Sequence, residues 1–369
     1  MIPVTKAFLP PIEDYMAQVQ RAYNNGWLTN RGELVQELEQ KITEYLGLEE
    51  SNILITNNGT IPLQIALKLL GKGGEIITTP FSYVATTAAI VWENCTPVFV
   101  DIHPEYLTID ETKIEAAITP RTTCILATHV FGNPCNVEAI EAIAKKHNLK
   151  VIYDAAHCFG VKYKGKSIFE YGDVSTCSFH ATKIFHTGEG GAIFCKDADL
   201  FHKVFYSHNF GHKDTVSFHG LGINGKISEL QAAMGLSVYP YLEAIFASRR
   251  LSMEIYDNAL TGLPIQKIKL REGTEWNYSY YPIIFNDEAV LLQVVKSLHD
   301  AGVIPRRYFY PSLNILPYTL SQSMKVSEDV AIKILCLPIF FSIREDVILK
   351  VASVLTDQLK LFTWKKKSN

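Results

Sequence analysis

The sequence predicts an α/β fold: a mostly parallel central sheet with helices on both faces, plus a smaller C-terminal α/β domain. Three observations carry this. Short apolar runs alternate with stretches of helical spacing through the first half of the chain, the pattern that builds parallel sheets by crossover helices. Several of these runs end at the polar or Gly-containing segments Thr56–Thr60, Thr79–Tyr83 and Asp154–His157, where such sheets place their ligands. The chain has 369 residues and 47% apolar content, enough for one large and one smaller core.

The elements follow in order. Residues 12–24 have helical spacing and stop at Asn25-Gly26, a helix terminator. Residues 33–46 place Leu34, Leu38, Ile42 and Leu46 on one stripe and close at Gly47. A strand is expected at Ile53–Thr56 and a helix at Ile61–Leu70, then strand Glu75–Thr79 and helix Tyr83–Glu93. Strand Val98–Asp101 precedes a helical Glu111–Ile118, and strand Cys124–Thr128 precedes helix Val137–His147. Val151–Asp154, Asp173–Phe179 and Ala192–Cys195 complete the expected sheet. A long helical pattern from about Ser228 to Leu260 links a large domain, residues 1–240, to a small one, residues 241–369. The small domain is expected to hold strand Tyr280–Phe285, helix Ala289–Ala301, the segment Val303–Tyr308 and a last helix from about Glu345 to Leu361.

Composition excludes several classes of function. The formal net charge is -3 with no basic stripe, so nucleic acid is not an expected partner. No apolar run approaches the ~20 residues of a membrane span, and Met1–Lys6 shows no signal peptide, so a cytoplasmic location is expected. The seven Cys are odd in number, contain no Cys-x-x-Cys pair and sit partly in apolar runs, as reduced buried thiols do. Neither they nor the 11 His show paired ligand spacing, so no metal site is expected.

The chemistry concentrates in two segments. One is the strand Lys150–Asp154, followed by Ala155-Ala156-His157. The other is Ser178-Phe179-His180-Ala181-Thr182-Lys183, running on to Gly188-Glu189-Gly190-Gly191-Ala192. Pyridoxal 5'-phosphate (PLP) needs a lysine amine to carry its aldehyde and a carboxylate to keep its ring nitrogen protonated. Lys183 and Asp154 fit those roles. Asp154 also fits a helix or turn cap, and His157 equally fits a satisfied core histidine. Gly59 and Thr60, just before a helix, offer the close backbone approach and hydroxyl that a phosphate requires; Thr60 also fits a plain N-cap. Tyr83, in a Pro-aromatic-Ser-aromatic run at a strand end, fits a ring-stacking position as well as a core aromatic. Gly71-Lys72-Gly73-Gly74 lacks the strand–loop–helix spacing of a phosphate loop and reads as a turn.

Taken together these segments resemble the DegT/DnrJ/EryC1/StrS family of PLP-dependent nucleotide-sugar aminotransferases. The similarity covers nearly the whole length and is carried by Trp27–Gly32, Asn58–Thr60, Pro80–Thr86, Pro97–Asp101, Asp154–His157, Ser178–Lys183 and Gly222–Glu229. It implies fold type I, that of aspartate aminotransferase, and a homodimer with shared sites. It implies that His157 and Tyr83 pack on the cofactor ring, that Ser178 reaches the phosphate, and that Asn224 does so from the other subunit. It places Thr29, Asn30, His186, Arg306, Arg307 and Tyr308 near the substrate, leaving open which of the two arginines points inward. Lys183, where related dehydratases carry His, implies amino transfer. The implied donor is L-glutamate and the acceptor a nucleotide-diphospho keto sugar. His180-Ala181 and Gly188-Glu189-Gly190-Gly191 follow the pattern of 4-keto rather than 3-keto sugar enzymes. Phe185-His186-Thr187 further resembles enzymes that turn dTDP-4-keto-6-deoxy-D-glucose into dTDP-4-amino-4,6-dideoxy-D-glucose for surface polysaccharide (O-antigen). The galacto epimer, a UDP or GDP sugar, a 3-keto sugar aminotransferase, a different PLP reaction and a non-catalytic regulator stand as the alternatives.

Overall fold

The structure, a computed structural model, describes residues 1–367, with side chains described through Lys360. Its centre is a seven-stranded sheet of β1 (Asn52–Thr56), β2 (Glu75–Thr78), β3 (Thr96–Phe99), β4 (Thr122–Thr128), β5 (Lys150–Asp154), β6 (Val174–Ser178) and β7 (Gly191–Cys195). The spatial order is β1-β7-β6-β5-β4-β2-β3. Strand β7 runs antiparallel to both its neighbours, and the remaining pairs are parallel. Helices α1 (Ile12–Asn25), α2 (Glu33–Leu46), α3 (Thr60–Ala66), α4 (Val84–Trp92), α5 (Val137–His147) and α6 (Ala198–Ser207) belong to this half.

The stripe on α2 is buried as its spacing requires: Leu34, Leu38 and Ile42 are fully covered and pack with Ile55 and Phe194 of the sheet. Each such side chain stabilises the fold by about 1.5–3 kcal/mol on burial. Gly26 and Gly47 end α1 and α2 in the left-handed conformation, at φ 62° and 61°.

The long helical pattern is broken. Helix α7 (Glu229–Val238) ends at a 3-10 turn, Tyr239–Tyr241, before α8 (Leu242–Ala259) starts. Pro240 explains the break, since its ring displaces the preceding turn and removes an amide donor. The expected helix Glu111–Ile118 is two 3-10 turns, Glu111–Lys113 and Glu115–Ala117, cut short before Thr119-Pro120.

The C-terminal part has its own core, in which Tyr256, Tyr281, Ile283, Leu298, Leu335 and Val351 meet. It contains α9 (Glu288–Asp300), α10 (Lys325–Lys333) and α11 (Glu345–Lys367), and a three-stranded sheet with β8 (Tyr281–Ile284) at its centre and β9 (Ile334–Leu337) at one edge. Of Val303–Tyr308 only Val303–Ile304 is a strand, paired with Ile2–Pro3; Pro305 stops it. A small sheet of Lys162–Tyr163, Lys166–Ser167 and Thr274–Glu275 ties the two halves together. Among the described residues no helix is long and apolar enough to cross a membrane. All seven cysteines are buried and unpaired.

Candidate active site

Three strand ends converge. Parallel pairing aligns Thr128, Asp154 and Thr176 across β4, β5 and β6, so Asp154 emerges at the carboxyl edge of the sheet. On the other side, Gly191 at the start of β7 sits between Thr56 and Ser178, the last residues of β1 and β6. That row lets the turn Asn57–Gly59 fold down onto Ser178. The approach is close enough to demand glycine. A Cβ on Gly59 would lie 2.9 Å from Ser178 Cβ, and one on Gly191 would lie 2.5 Å from the carbonyl oxygen of Asn58.

Lys183 hangs in a tight loop between β6 and β7. Phe179 and Thr187 pair with Gly190 and Phe179 through backbone bonds, and Ala181 N–H donates to the Gly188 carbonyl. Phe179 and Phe185 are buried edge to face at 4.9 Å, and Phe159 stacks on Phe185 at 4.7 Å. The aromatic anchors hold the loop while its lysine is left to face a cavity of about 250 Å3. Asn58, Gly59, Thr60, Tyr83, Asp154, His157, Ser178, Lys183, Arg306 and Tyr308 all line that cavity.

The electrostatics suit a cationic ring. Asp154 is 4% exposed. Its Oδ2 accepts from Thr86 Oγ1 at 2.6 Å and its Oδ1 from the Ala156 amide at 3.1 Å. Burial raises its pKa, and those two donors, with the more distant Lys183 charge, oppose the rise only partly. A buried carboxylate held by two neutral donors still wants a positive partner, which a protonated pyridine nitrogen would supply. Burial pushes the Lys183 amine the other way, below its ordinary value, toward the neutral form. His157 is also driven well down by burial and stays neutral. Its Nδ1 accepts from the Phe131 amide at 3.2 Å, which leaves the proton on Nε2.

At the other end, Ser178 Oγ and the Gly59 turn form a small cup. Asn58 Oδ1 already accepts from the amides of Thr60 and Ile61, both at 2.9 Å, so the Asn58 side chain caps the start of α3 from just before its N-cap residue, Gly59. Thr60 is thus left with its hydroxyl for an incoming anion rather than its N–H. These features fit PLP: a recessed amine, a carboxylate in need of a cation, and a hydroxyl beside a glycine cradle.

The remaining expected residues divide. Arg306 lines the cavity with its guanidinium 4.7 Å from the Tyr308 ring. Arg307 points away: it donates to Glu288 at 2.8 Å and lies 3.7 Å from the Tyr310 ring centre. His186 is not in the cavity either; it is buried and its Nε2 donates to the Phe8 carbonyl at 2.6 Å, which pins the N-terminal segment. Thr29, Asn30 and Asn224 are exposed and outside their own chain's cavity. Tyr280, Thr86, His180, Thr182 and Phe309 belong to the site or its direct support, and the sequence assigns none of them a place in it. Thr86, in the Pro80–Thr86 segment, and His180 and Thr182, in the Ser178–Lys183 segment, had a signal; Tyr280 and Phe309 had none.

A wider surface depression of about 620 Å3 lies beside α5. Its Lys145 and Lys150 are paired with Glu141 and Asp173, and it holds no comparable set. Among the described residues no cluster of His, Cys, Asp and Glu could hold a metal ion.

The whole chain has known counterparts. Residues 11–356 match the DegT/DnrJ/EryC1/StrS aminotransferase family. A dTDP-4-amino-4,6-dideoxy-D-glucose transaminase of Escherichia coli is 40% identical over 370 residues, covering 97% of this chain and 99% of the relative. A GDP-perosamine synthase of Caulobacter vibrioides is 31% identical over 343 residues, covering 90% and 92%. Among solved structures, DesI with its TDP-sugar product superimposes with a TM-score of 0.90 at 30% identity, covering 99% of this chain and 95% of that one.

Proposed function

We propose that this chain, which belongs to the DegT/DnrJ/EryC1/StrS aminotransferase family, moves an amino group from L-glutamate to C4 of dTDP-4-keto-6-deoxy-D-glucose, giving dTDP-4-amino-4,6-dideoxy-D-glucose. The observation that carries the chemistry is the shared cavity of a desolvated Lys183 amine, the buried Asp154 carboxylate and the Gly59–Ser178 cradle. The substrate reading rests on the 40% identity to the E. coli transaminase. When bound, the family's cofactor PLP acts as an electron sink for the carbon that loses or gains a proton.

The chain's own residues do the rest. Lys183 would hold the cofactor aldehyde through Nζ. Once released, Nζ carries a proton from the donor's α-carbon and delivers one to the sugar carbon, for which a depressed pKa suits it. Asp154 would keep the ring nitrogen protonated through a charge-assisted hydrogen bond. His157 and Tyr83 would hold the cofactor ring, and Gly59, Thr60 and Ser178 its phosphate. Arg306 and Tyr308, at the same cavity, bind an anionic substrate group.

Asn224 is expected to act in the partner's site of a homodimer. It sits beside a surface rich in exposed apolar side chains, including Phe210, Phe218, Leu221 and Ile223. The test is direct assay of product with each keto sugar nucleotide and L-glutamate. Amination of the dTDP sugar at C4 supports the reading, whereas exclusive use of a GDP or UDP sugar, or of a 3-keto sugar, refutes the assigned substrate.

A further inference from the structure

Behind Lys183 lies a hydroxyl with no role so far. Nζ of Lys183 donates to Tyr280 Oη at 3.2 Å. Tyr280 is 5% exposed, and its ring is fixed by His157 at 4.8 Å, Tyr308 at 5.4 Å and Phe131 at 5.7 Å. The backbone that delivers it is fastened from below. Arg249, itself buried and without a carboxylate partner among the described residues, donates to the carbonyls of Tyr278 at 3.4 Å and Ser279 at 3.1 Å.

Building on Lys183 as the attachment lysine, we propose that Tyr280 is a positioning residue that holds Nζ in one place whether the amine is charged or neutral. A charged amine donates to the phenol oxygen; a neutral one accepts a hydrogen bond from the phenol O–H, with no proton transferred in either state. A carboxylate at that spot would favour the ammonium and oppose its loss of a proton. A neutral phenol favours the ammonium far less, because it bonds both forms and the charged one only somewhat better, and burial keeps it neutral by raising the Tyr280 pKa despite the opposing charges of Arg249 and Arg306, with Cys336 also facing it. The other groups facing Lys183 are Tyr308, Asp154, Cys177 and Tyr83, and His157 lies within its field. Of all these, Tyr280 makes the hydrogen bond.

The test compares wild type with Tyr280→Phe, which keeps the ring and its packing. The full-length protein is saturated with pyridoxamine 5'-phosphate, which leaves the lysine amine free. It is then pulsed with isotope-labelled acetic anhydride across a pH series, and Lys183 labelling is read by mass spectrometry. A hydrogen bond to a charged group is worth enough to move a pKa by about one unit, so half-labelling should fall by about one pH unit in the variant. Separately, with PLP-loaded protein, loss of the cofactor band at saturating L-glutamate should slow at least about tenfold. The glutamate concentration for half-maximal rate should change less than about twofold. An unchanged half-labelling pH overturns the proposal, as does a shifted one with an unslowed band. If neither protein takes up PLP, the attachment reading fails instead, while the labelling shift still reports the Tyr280 contact.

Discussion

The support beneath Asp154 can be removed one atom at a time. Thr86→Val replaces the hydroxyl that donates to Asp154 Oδ2 at 2.6 Å with a methyl group of the same shape. Ser82 keeps its bond from Thr128 at 3.1 Å, so the buried hydroxyl row is shortened rather than dispersed. A hydrogen bond to a charged group contributes about 1.5–3 kcal/mol, so the carboxylate should become harder to ionise. PLP affinity should then fall roughly ten- to a hundredfold near neutral pH. The pH dependence adds a sign. Burial already holds the folded Asp154 pKa above its value in the unfolded chain, so its contribution to stability is present in acid and is lost as pH rises through the folded value. The variant raises that value further and deepens the loss. Its deficit in thermal stability, measured without cofactor, should therefore be larger at pH 8 than at pH 5. A spectral titration with PLP at several pH values, paired with unfolding scans, measures both. Unchanged affinity with a pH-independent stability deficit would refute the reasoning.

Other substitutions probe the rest of the site. Gly59→Ala puts a Cβ 2.9 Å from Ser178 Cβ and 3.1 Å from its Cα; the cradle must open, and affinity for PLP should drop at least about tenfold in the same titration. Arg306→Ala should raise the KM for a substrate at least about tenfold, whereas Arg307→Ala, which breaks the Glu288 pair, the bond to the Ile332 carbonyl and the Tyr310 stacking but nothing in the cavity, should change KM less than about twofold in steady-state assays. Glu229 is buried and accepts from the amides of Leu34 at 2.8 Å and Val35 at 3.4 Å at the start of α2. Glu229→Gln should cost about 1 kcal/mol in urea unfolding, as loss of a charged helix cap does.

Much of this was legible in the sequence because strands of a buried parallel sheet are short apolar runs with defined ends. Asp154 and Ser178 are read from such ends, and Lys183 from the glycines and aromatics of its loop. What escaped depends on packing between distant segments. Tyr280 opens the ordinary-looking apolar run Tyr280–Phe285 and lies just before β8, and only the fold sets it against Lys183, which lies 97 residues earlier. Arg306 and Arg307 are indistinguishable as neighbours; their directions differ because backbone bonds between Arg306 and Cys336 orient the segment. His186 looked like a substrate ligand from its motif, yet its ring is taken by the Phe8 carbonyl. The break at Pro240 was visible as a residue but outweighed by the periodicity around it.

The most direct test of the central claim is one optical trace. L-Glutamate is added to the PLP-loaded protein and the band of the attached cofactor is followed; keto sugar nucleotides are then offered singly. The band should fall with glutamate, return with dTDP-4-keto-6-deoxy-D-glucose, and be missing from Lys183→Ala. A band that falls and that this sugar does not restore, or one that persists in Lys183→Ala, would contradict the account.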